Sequence, residues 1–171
     1  MEFFQTTSKS RQRGVSMIEV LVSIIVLSIG LLGMAALMAT SLRNNQSATF
    51  RTEATNLAYN YIDMMRANKA LTPLYARPNY SNPAVLCAAT PAPTNYATCP
   101  SLQQCDGRIW STRLCRALPN GRGKVTVTPA GVQGYDVTVE VCWSDDRSVN
   151  ANRSSDCSNN GETRFVTTSR I

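Results

Sequence analysis

The chain has 171 residues, a net charge of +6 and no histidine. Without histidine there is no Ser-His or Cys-His pair for nucleophilic catalysis, so we expect neither an enzyme nor a bound cofactor. The positive charge is mild, and its Lys and Arg residues do not cluster with aromatic ones. Specific nucleic-acid recognition is therefore not indicated.

The chain begins with a basic, polar stretch followed by a long apolar run. Lys9, Arg11 and Arg13 precede the run, and Val20–Leu42 contains no charged residue. As a helix, these 23 residues would cross a hydrocarbon core of ~30 Å. A secretory signal would have a shorter apolar core, so a membrane anchor is predicted. Glu19 stands at the start of this run, where an ionised carboxylate costs several kcal/mol unless it is paired.

The sequence around this glutamate, RGVSMIEVL at 13–21, resembles the class III signal of type IV pilins and pseudopilins. The resemblance implies that prepilin peptidase cuts between Gly14 and Val15. It then implies a leader of Met1–Gly14 and N-methylation of Val15, although Phe or Met is more usual at that position. It also implies that Glu19 pairs with the N-terminal amine of a neighbouring subunit. The simpler alternative is that Glu19 marks the headgroup boundary of the membrane.

A single long helix is predicted from the anchor into the rest of the chain. No proline occurs between Val15 and Thr72, so we expect one helix over Ser16–Ala70. Gly30 and Gly33 suit either a soft point in this helix or close packing of neighbouring helices. The expected divisions are 1–14 as leader, 15–42 as membrane or fibre-core helix, 43–71 as its amphipathic half and 72–171 as head domain. The amphipathic half has an apolar stripe with helical spacing, made of Ala54, Leu57, Ala58, Tyr61, Ile62 and Met65.

After the long helix we predict an irregular connection, a short helix and a small sheet. Thr72–Pro100 is rich in proline, which disfavours regular structure. Ser101–Leu118 is the predicted short helix, and a turn at Leu118–Gly121 follows it. Strands are predicted from alternating residues. The inward side chains expected in the short helix are Leu102, Ile109, Leu114 and Leu118, and the strands expected are Lys124–Thr128, Tyr135–Trp143 and Thr163–Ser169.

Six cysteines follow the apolar run, an even number that predicts disulfides in an oxidising compartment: Cys87, Cys99, Cys105, Cys115, Cys142 and Cys157. No C-x-x-C pair and no histidine are present, so no zinc site is expected. Cys105 and Cys115 cannot pair on one helix, because ten residues separate their Cα atoms by ~15 Å. Residue spacing leaves the other pairings open, while the resemblance to pilins favours Cys142–Cys157 around a C-terminal loop. For Asp145, Asp146 and Asp156 an acidic turn is preferred to a calcium site.

The order of elements resembles the type IV pilin fold: α+β, with a long N-terminal helix packed on a small antiparallel sheet and disulfide-tied loops. The segments LPNGRGKVTVTP and YDVTVEVCWSD are similar to minor pilins of the PilV kind. This resemblance implies a structural subunit that primes, assembles or caps a type IV pilus. The expected partners are other minor and major pilins, prepilin peptidase and inner-membrane lipid.

Two alternatives remain open from the sequence. One is a minor pseudopilin of a type II secretion system. The other is a pilus-tip adhesin or DNA-binding module that uses the C-terminal loop. The expected location is the inner membrane of a Gram-negative bacterium, with a periplasmic head, and the pilus or cell surface.

Overall fold

The computed structural model describes residues 14–80, 99–131, 134–145, 157–158 and 161–171. Three helical segments precede three strands. Helix α1 spans Met17–Ala67, a 3-10 helix spans Lys69–Tyr75, and helix α2 spans Leu102–Ala117. The strands are β1, Arg122–Pro129, then β2, Tyr135–Ser144, and β3, Glu162–Arg170. The chain divides into two compact units, Met1–Asn44 and Asn45–Ile171.

Helix α1 has two chemically different parts. Its N-terminal part is apolar, with a mean hydropathy of 2.7 over an 18-residue window, none of which is buried. By length and composition this helix can cross a membrane. In the second unit, all six residues of the predicted apolar stripe are buried. The expected long helix is therefore confirmed, with a membrane-length half and a half that packs on the protein's own core.

The long helix ends three residues before the predicted Ala70. Asn68 leaves helical geometry, with φ −124° and ψ 48°, and the 3-10 helix begins at Lys69. Pro73 lies inside this 3-10 helix, where its missing N–H and fixed φ are tolerated in a short tight turn. The start of the predicted irregular connection is thus regular as far as Tyr75, and residues 81–98 lie outside the described part.

The sheet is antiparallel in the order β1-β2-β3. Val125 pairs with Val139, which pairs with Thr167 on the other side. Because side chains alternate along a strand, one face of β2 is apolar and buried. This face carries Val137, Val139, Val141 and Trp143, as the alternation in the sequence predicts.

Helix α2 contributes a core residue that the predicted inward set did not include. Trp110 is fully buried, stacks on Tyr61 of α1 with ring centroids 4.3 Å apart, and donates from its indole N–H to the Leu57 carbonyl at 2.9 Å. Leu114 and Leu118 are buried as expected. The expectation for Leu102 is wrong, because its side chain remains 39% exposed, and Ile109 is only half-buried. The larger indole, one residue after Ile109, occupies the core side of the helix.

A buried polar network fixes α2 and the 3-10 helix to α1. The Tyr75 hydroxyl donates to Asp106 of α2 at 2.6 Å and accepts from the Asn68 amide at 3.2 Å. Arg77 donates to the Tyr61 hydroxyl at 3.3 Å, and its backbone forms a two-way bridge to Val125 of β1. These bonds satisfy groups that would otherwise be costly to bury.

Candidate functional site: the N-terminal signal and the disulfide-bounded loop

The signal residues lie at the start of α1. Gly14, Val15 and Ser16 have no regular structure, and the helix begins at Met17. The Ser16 carbonyl accepts hydrogen bonds from the amides of Glu19 at 3.0 Å and Val20 at 3.3 Å. The Gly14–Val15 peptide bond therefore precedes the first helical turn and is not protected by helical hydrogen bonds. A protease needs a scissile bond of this kind, since a helical segment must unwind before it enters an extended cleft.

Glu19 occupies the first turn of this helix. A carboxylate is favourable there because the helix macrodipole places partial positive charge at the N-terminus. Glu19 also lines a shallow groove whose remaining walls are mostly apolar, formed with Val15, Val20, Ser23, Ile24 and Leu27. The Ser23 hydroxyl donates to the Glu19 backbone carbonyl at 2.7 Å, so it does not neutralise the carboxylate.

The surroundings of Glu19 make its charge the chemically distinctive feature of the first unit. Every residue from Val15 to Leu42 is exposed in the single chain, including the large aliphatic ones. Apolar surface on this scale requires lipid or other helices around it. In either environment a carboxylate needs a cationic partner, and no basic side chain lies within the Val15–Leu42 segment.

The second predicted feature is the C-terminal loop. Cys142 and Cys157, the pair favoured by the resemblance, are joined in the structure with their Cα atoms 6.0 Å apart. The loop begins at Asp145, whose amide donates to the Gly161 carbonyl at 3.0 Å and whose carboxylate accepts from Ser47 of α1 at 2.8 Å. These two bonds hold the residue after β2 against the residue before β3 and against α1. Residues 146–156, with Asp146 and Asp156, lie outside the described part.

The other cysteines stabilise the region around α2. Cys99 pairs with Cys105, with Cα atoms 5.7 Å apart, and Cys115 is disulfide-bonded as well. Cys105 and Cys115 lie on one helix and are not joined to each other, in agreement with the distance argument. Cys87 lies outside the described residues.

Among the residues that the structure describes, one cluster of potential metal ligands lies beside the base of the loop. The sulfurs of Cys142 and Cys157 lie within 4.8 Å of a Glu162 carboxylate oxygen. Both sulfurs are consumed by the disulfide, and metal binding by cysteine requires a thiolate. Glu162 is also paired with Arg122 at 2.7 Å, with both side chains 3% exposed. In the oxidised protein this cluster is a structural ion pair beside a disulfide.

Charged side chains on one face of the sheet lie next to the base of the loop at Cys142. Glu140 accepts from Lys124 at 3.1 Å, from Arg164 at 3.5 Å and from the Tyr80 hydroxyl at 3.0 Å. Burial, followed by the bond to Glu140, raises the pKa of Tyr80 to about 12. Burial and the bond to Asp106 likewise raise the pKa of Tyr75. These tyrosines therefore act as neutral hydrogen-bond donors at physiological pH.

Comparison with known proteins identifies the N-terminal feature. Residues 9–35 match the model of the prokaryotic N-terminal methylation motif. No curated protein and no solved structure matches the chain. The matched segment contains the Gly14–Val15 bond and Glu19, together with the first part of the apolar helix. With the α+β fold, the motif supports a type IV pilin-like protein of the pilin or pseudopilin kind, anchored in a bacterial membrane and structural in role.

Proposed function

We propose that the chain is a minor pilin, of the PilV kind, that takes part in priming, assembling or capping a type IV pilus. Prepilin peptidase removes residues 1–14 and methylates the new N-terminus at Val15. Residues 15–42 then hold the subunit in the inner membrane and later enter the fibre core. Residues 43–71 contain the amphipathic half of the helix, which ends at Ala67, and residues 72–171 form a periplasmic head, in a Gram-negative cell.

The observation that carries this proposal is the environment of Glu19. A methylation-motif glutamate lies in the first turn of a helix whose apolar surface is exposed along its whole membrane-length part. The peptidase product carries a positive α-amine four residues before this carboxylate in sequence. Between two subunits, one amine and one carboxylate form a charge pair that offsets the cost of burying either alone. A helix placed out of register leaves both charges unpaired, so the pair also selects the correct docking position.

The head supports a structural role in this assembly. Its core is formed by α1, α2 and one face of the sheet. Disulfides join α2 to the residues before it, through Cys105 and Cys99, and join β2 to Cys157. Such stabilisation is typical of small extracytoplasmic domains.

Co-purification from cells that produce the chain tests this function. Detergent-solubilised membranes and sheared surface fibres are probed for the tagged chain and for the proteins bound to it. We expect other pilins in both fractions and the chain itself in the fibre fraction. Recovery with secretion-system components would instead favour the pseudopilin alternative. Recovery of the chain from membranes only, with no other pilin bound to it, would contradict assembly altogether.

A further inference from the structure

Strand β3 lies at one side of the sheet, and its outer edge is open. Tyr135 of β2 and Ile171 exchange both backbone hydrogen bonds, each at 3.0 Å. Because backbone groups alternate in direction along an antiparallel strand, every second residue before Ile171 also bonds to β2, and the residues between them direct N–H and C=O groups away from the sheet. The outward residues include Arg164, Val166, Thr168 and Arg170, and all four are exposed. Among the described residues no other segment pairs with this edge.

The open edge lacks the features that usually prevent strand addition, which are proline, bulges, short strands and charged side chains that guard the edge. β3 pairs with β2 over nine residues in a continuous register and contains no proline before its end. Its two arginines bind β2 instead. Arg170 donates to Asp136 at 2.9 and 3.1 Å, and Arg164 lies 3.5 Å from Glu140. Between them, the β-branched Val166 is 46% exposed.

The opposite edge of the sheet is protected. Arg77 and Val125 of β1 exchange two backbone hydrogen bonds, both at 2.8 Å. The Tyr80 ring lies near Arg122 and Lys124 of the same strand, 5.5 and 6.0 Å from their charged groups. The chain therefore covers the edge of β1 with its own residues and leaves the edge of β3 accessible to another chain.

We propose that β3 accepts an extended segment of a neighbouring, different pilin, which adds to the sheet as a fourth strand. The inference rests on the proposed function, because it names the part of the head that contacts another subunit. In strand addition, main-chain hydrogen bonds supply affinity, and the side chains on alternate residues supply specificity. The outward backbone groups of β3 already have the extended geometry that this pairing needs, so little conformational entropy is lost on the acceptor side.

The surroundings of β3 define the chemistry of the added segment. On the core face, Phe165 is only partly buried against the core, so an apolar side chain on the added strand would cover its remaining surface. On the other face, Glu140 is shared by Lys124 at 3.1 Å and Arg164 at 3.5 Å, which leaves one positive charge in excess. A carboxylate beside Arg164 would balance this charge. The segment therefore alternates apolar residues with polar ones that include Asp or Glu.

The added segment belongs to a different chain and not to a second copy. Two β3 edges that pair antiparallel are related by a two-fold axis perpendicular to the sheet, which would make the α1 helices of the two copies run in opposite directions. Both anchors must enter one membrane in the same sense. Two β3 edges that pair parallel would turn one sheet over, so its polar face would continue the apolar core face of the other. Pairing of β3 with β1 of another copy would require the edge that Arg77 already occupies.

Photocrosslinking in cells that produce the full chain tests the accepting edge. A benzophenone-bearing residue is placed at Thr168 of β3, at Thr126 of β1 or at Leu27 of the apolar helix, and captured peptides are identified by mass spectrometry. Thr168 and Thr126 are both exposed and pair with Thr138 from its two sides, so they share a level and a face and differ in the edge. We expect Thr168 to capture a different pilin at an alternating segment that contains Asp or Glu, with a yield at least about tenfold above that from Thr126.

A substitution pair at Val166 separates strand pairing from side-chain contact. Val166→Pro removes an outward N–H and leaves the bonds to β2 in place, as proline at a sheet edge can. It should lower the yield from Thr168 about tenfold, because a main-chain hydrogen bond is lost and the ring obstructs the added strand. Val166→Ala keeps the N–H and should change the yield little. Unchanged protease resistance of the head shows that each variant is folded, and equal losses in two folded variants contradict strand pairing.

The three probe positions decide the question even if the proline variant does not fold. Equal capture from Thr168 and Thr126 contradicts a specific edge. Capture of a second copy, of lipid or of nucleic acid from Thr168 contradicts the proposed partner. Capture of pilins from Leu27 but not from Thr168 overturns the inference and leaves the proposed function intact. Capture from neither position contradicts both.

Discussion

At the scale of single residues, Glu19 differs most from its surroundings. It is the one charged side chain among the exposed apolar residues of the first unit between Val15 and Leu42. The contribution of Glu19 to assembly depends on whether its carboxylate pairs with a cationic group. If it only marks the headgroup boundary, removing its charge changes little. If it pairs with a neighbouring N-terminal amine, removing it leaves that amine uncompensated in a low-dielectric interface.

Glu19→Ala and Glu19→Gln should therefore leave membrane insertion and leader removal intact while impairing assembly. Breaking a buried charge pair typically costs about 3–5 kcal/mol, which corresponds to at least about a hundredfold loss in association. Quantitative co-purification with other pilins measures the loss. Glu53→Gln provides the control, because it removes an exposed carboxylate from the same helix. Normal partner recovery with both Glu19 variants would support the boundary explanation.

A second residue-scale prediction concerns Gly123 of β1. A Cβ added there would lie 2.1 Å from the Trp110 ring, so the glycine allows the indole to pack against the strand. Gly123→Ala should destabilise the head by about 1–3 kcal/mol, the usual cost of overpacking a core. Denaturant unfolding of the detergent-solubilised chain checks the value. Gly134→Ala, whose added Cβ would meet its nearest atom at 3.4 Å, should be much milder. Equal effects would show that the Trp110 contact is not limiting.

At the scale of elements, the sequence predicted the segments in which apolar residues recur with the period of a helix or a strand. The six-residue stripe of α1 and the four alternating core residues of β2 follow from helix and strand periodicity. The helix end at Ala67 and the burial of Trp110 in place of Leu102 did not follow. Both depend on tertiary contacts: Asn68 bonds to Tyr75, and Trp110 meets Tyr61 across more than forty residues. Local periodicity contains no information about such contacts.

The disulfides allow an element-scale prediction. In the loop-entropy model, a cross-link contributes more as it closes a longer loop. Cys142–Cys157 spans 15 residues and Cys99–Cys105 spans 6. Replacing the first pair by serine should cost ~3 kcal/mol of unfolding free energy, and replacing the second ~2 kcal/mol. Urea unfolding of the two double variants gives the order. A larger loss for the shorter loop would mean that native contacts, and not chain entropy, determine these contributions.

At the scale of the whole molecule, the tyrosine pKa values predict the pH dependence of stability. The pKa of Tyr80 is about 12 in the folded chain and ~10 in an unfolded one, so the folded state keeps its proton to higher pH. The stability that this raised pKa contributes is therefore fully present below pH ~10 and is lost as pH rises towards 12. Tyr80→Phe should flatten the fall in unfolding free energy across this window. Tyr59→Phe, at an exposed position of α1, should leave the fall unchanged.

The overall fold could be predicted from the sequence because the apolar helix and the head domain each have a recognisable sequence pattern. An uninterrupted apolar run can be recognised from composition, while the head is recognised from alternation, turn residues and an even cysteine count. The orientation of α2 was not accessible. Leu102 and Ile109 fit an inward pattern, and only the position of Trp110 shows which side of the helix meets the core.

The central claim is that this chain is a prepilin whose mature form begins at Val15. Intact-mass and N-terminal peptide analysis of the chain from membrane fractions tests it directly, with Gly14→Glu as the matched variant. The expected result is a wild-type chain that begins with N-methylated Val15 and a variant that retains residues 1–14, because a bulky charged side chain cannot occupy the place of the glycine before the cut. Ala39-Thr40-Ser41 has the small residues of a secretory cleavage site. A wild-type chain that begins at Met1, or that is cut after this site, would contradict the claim.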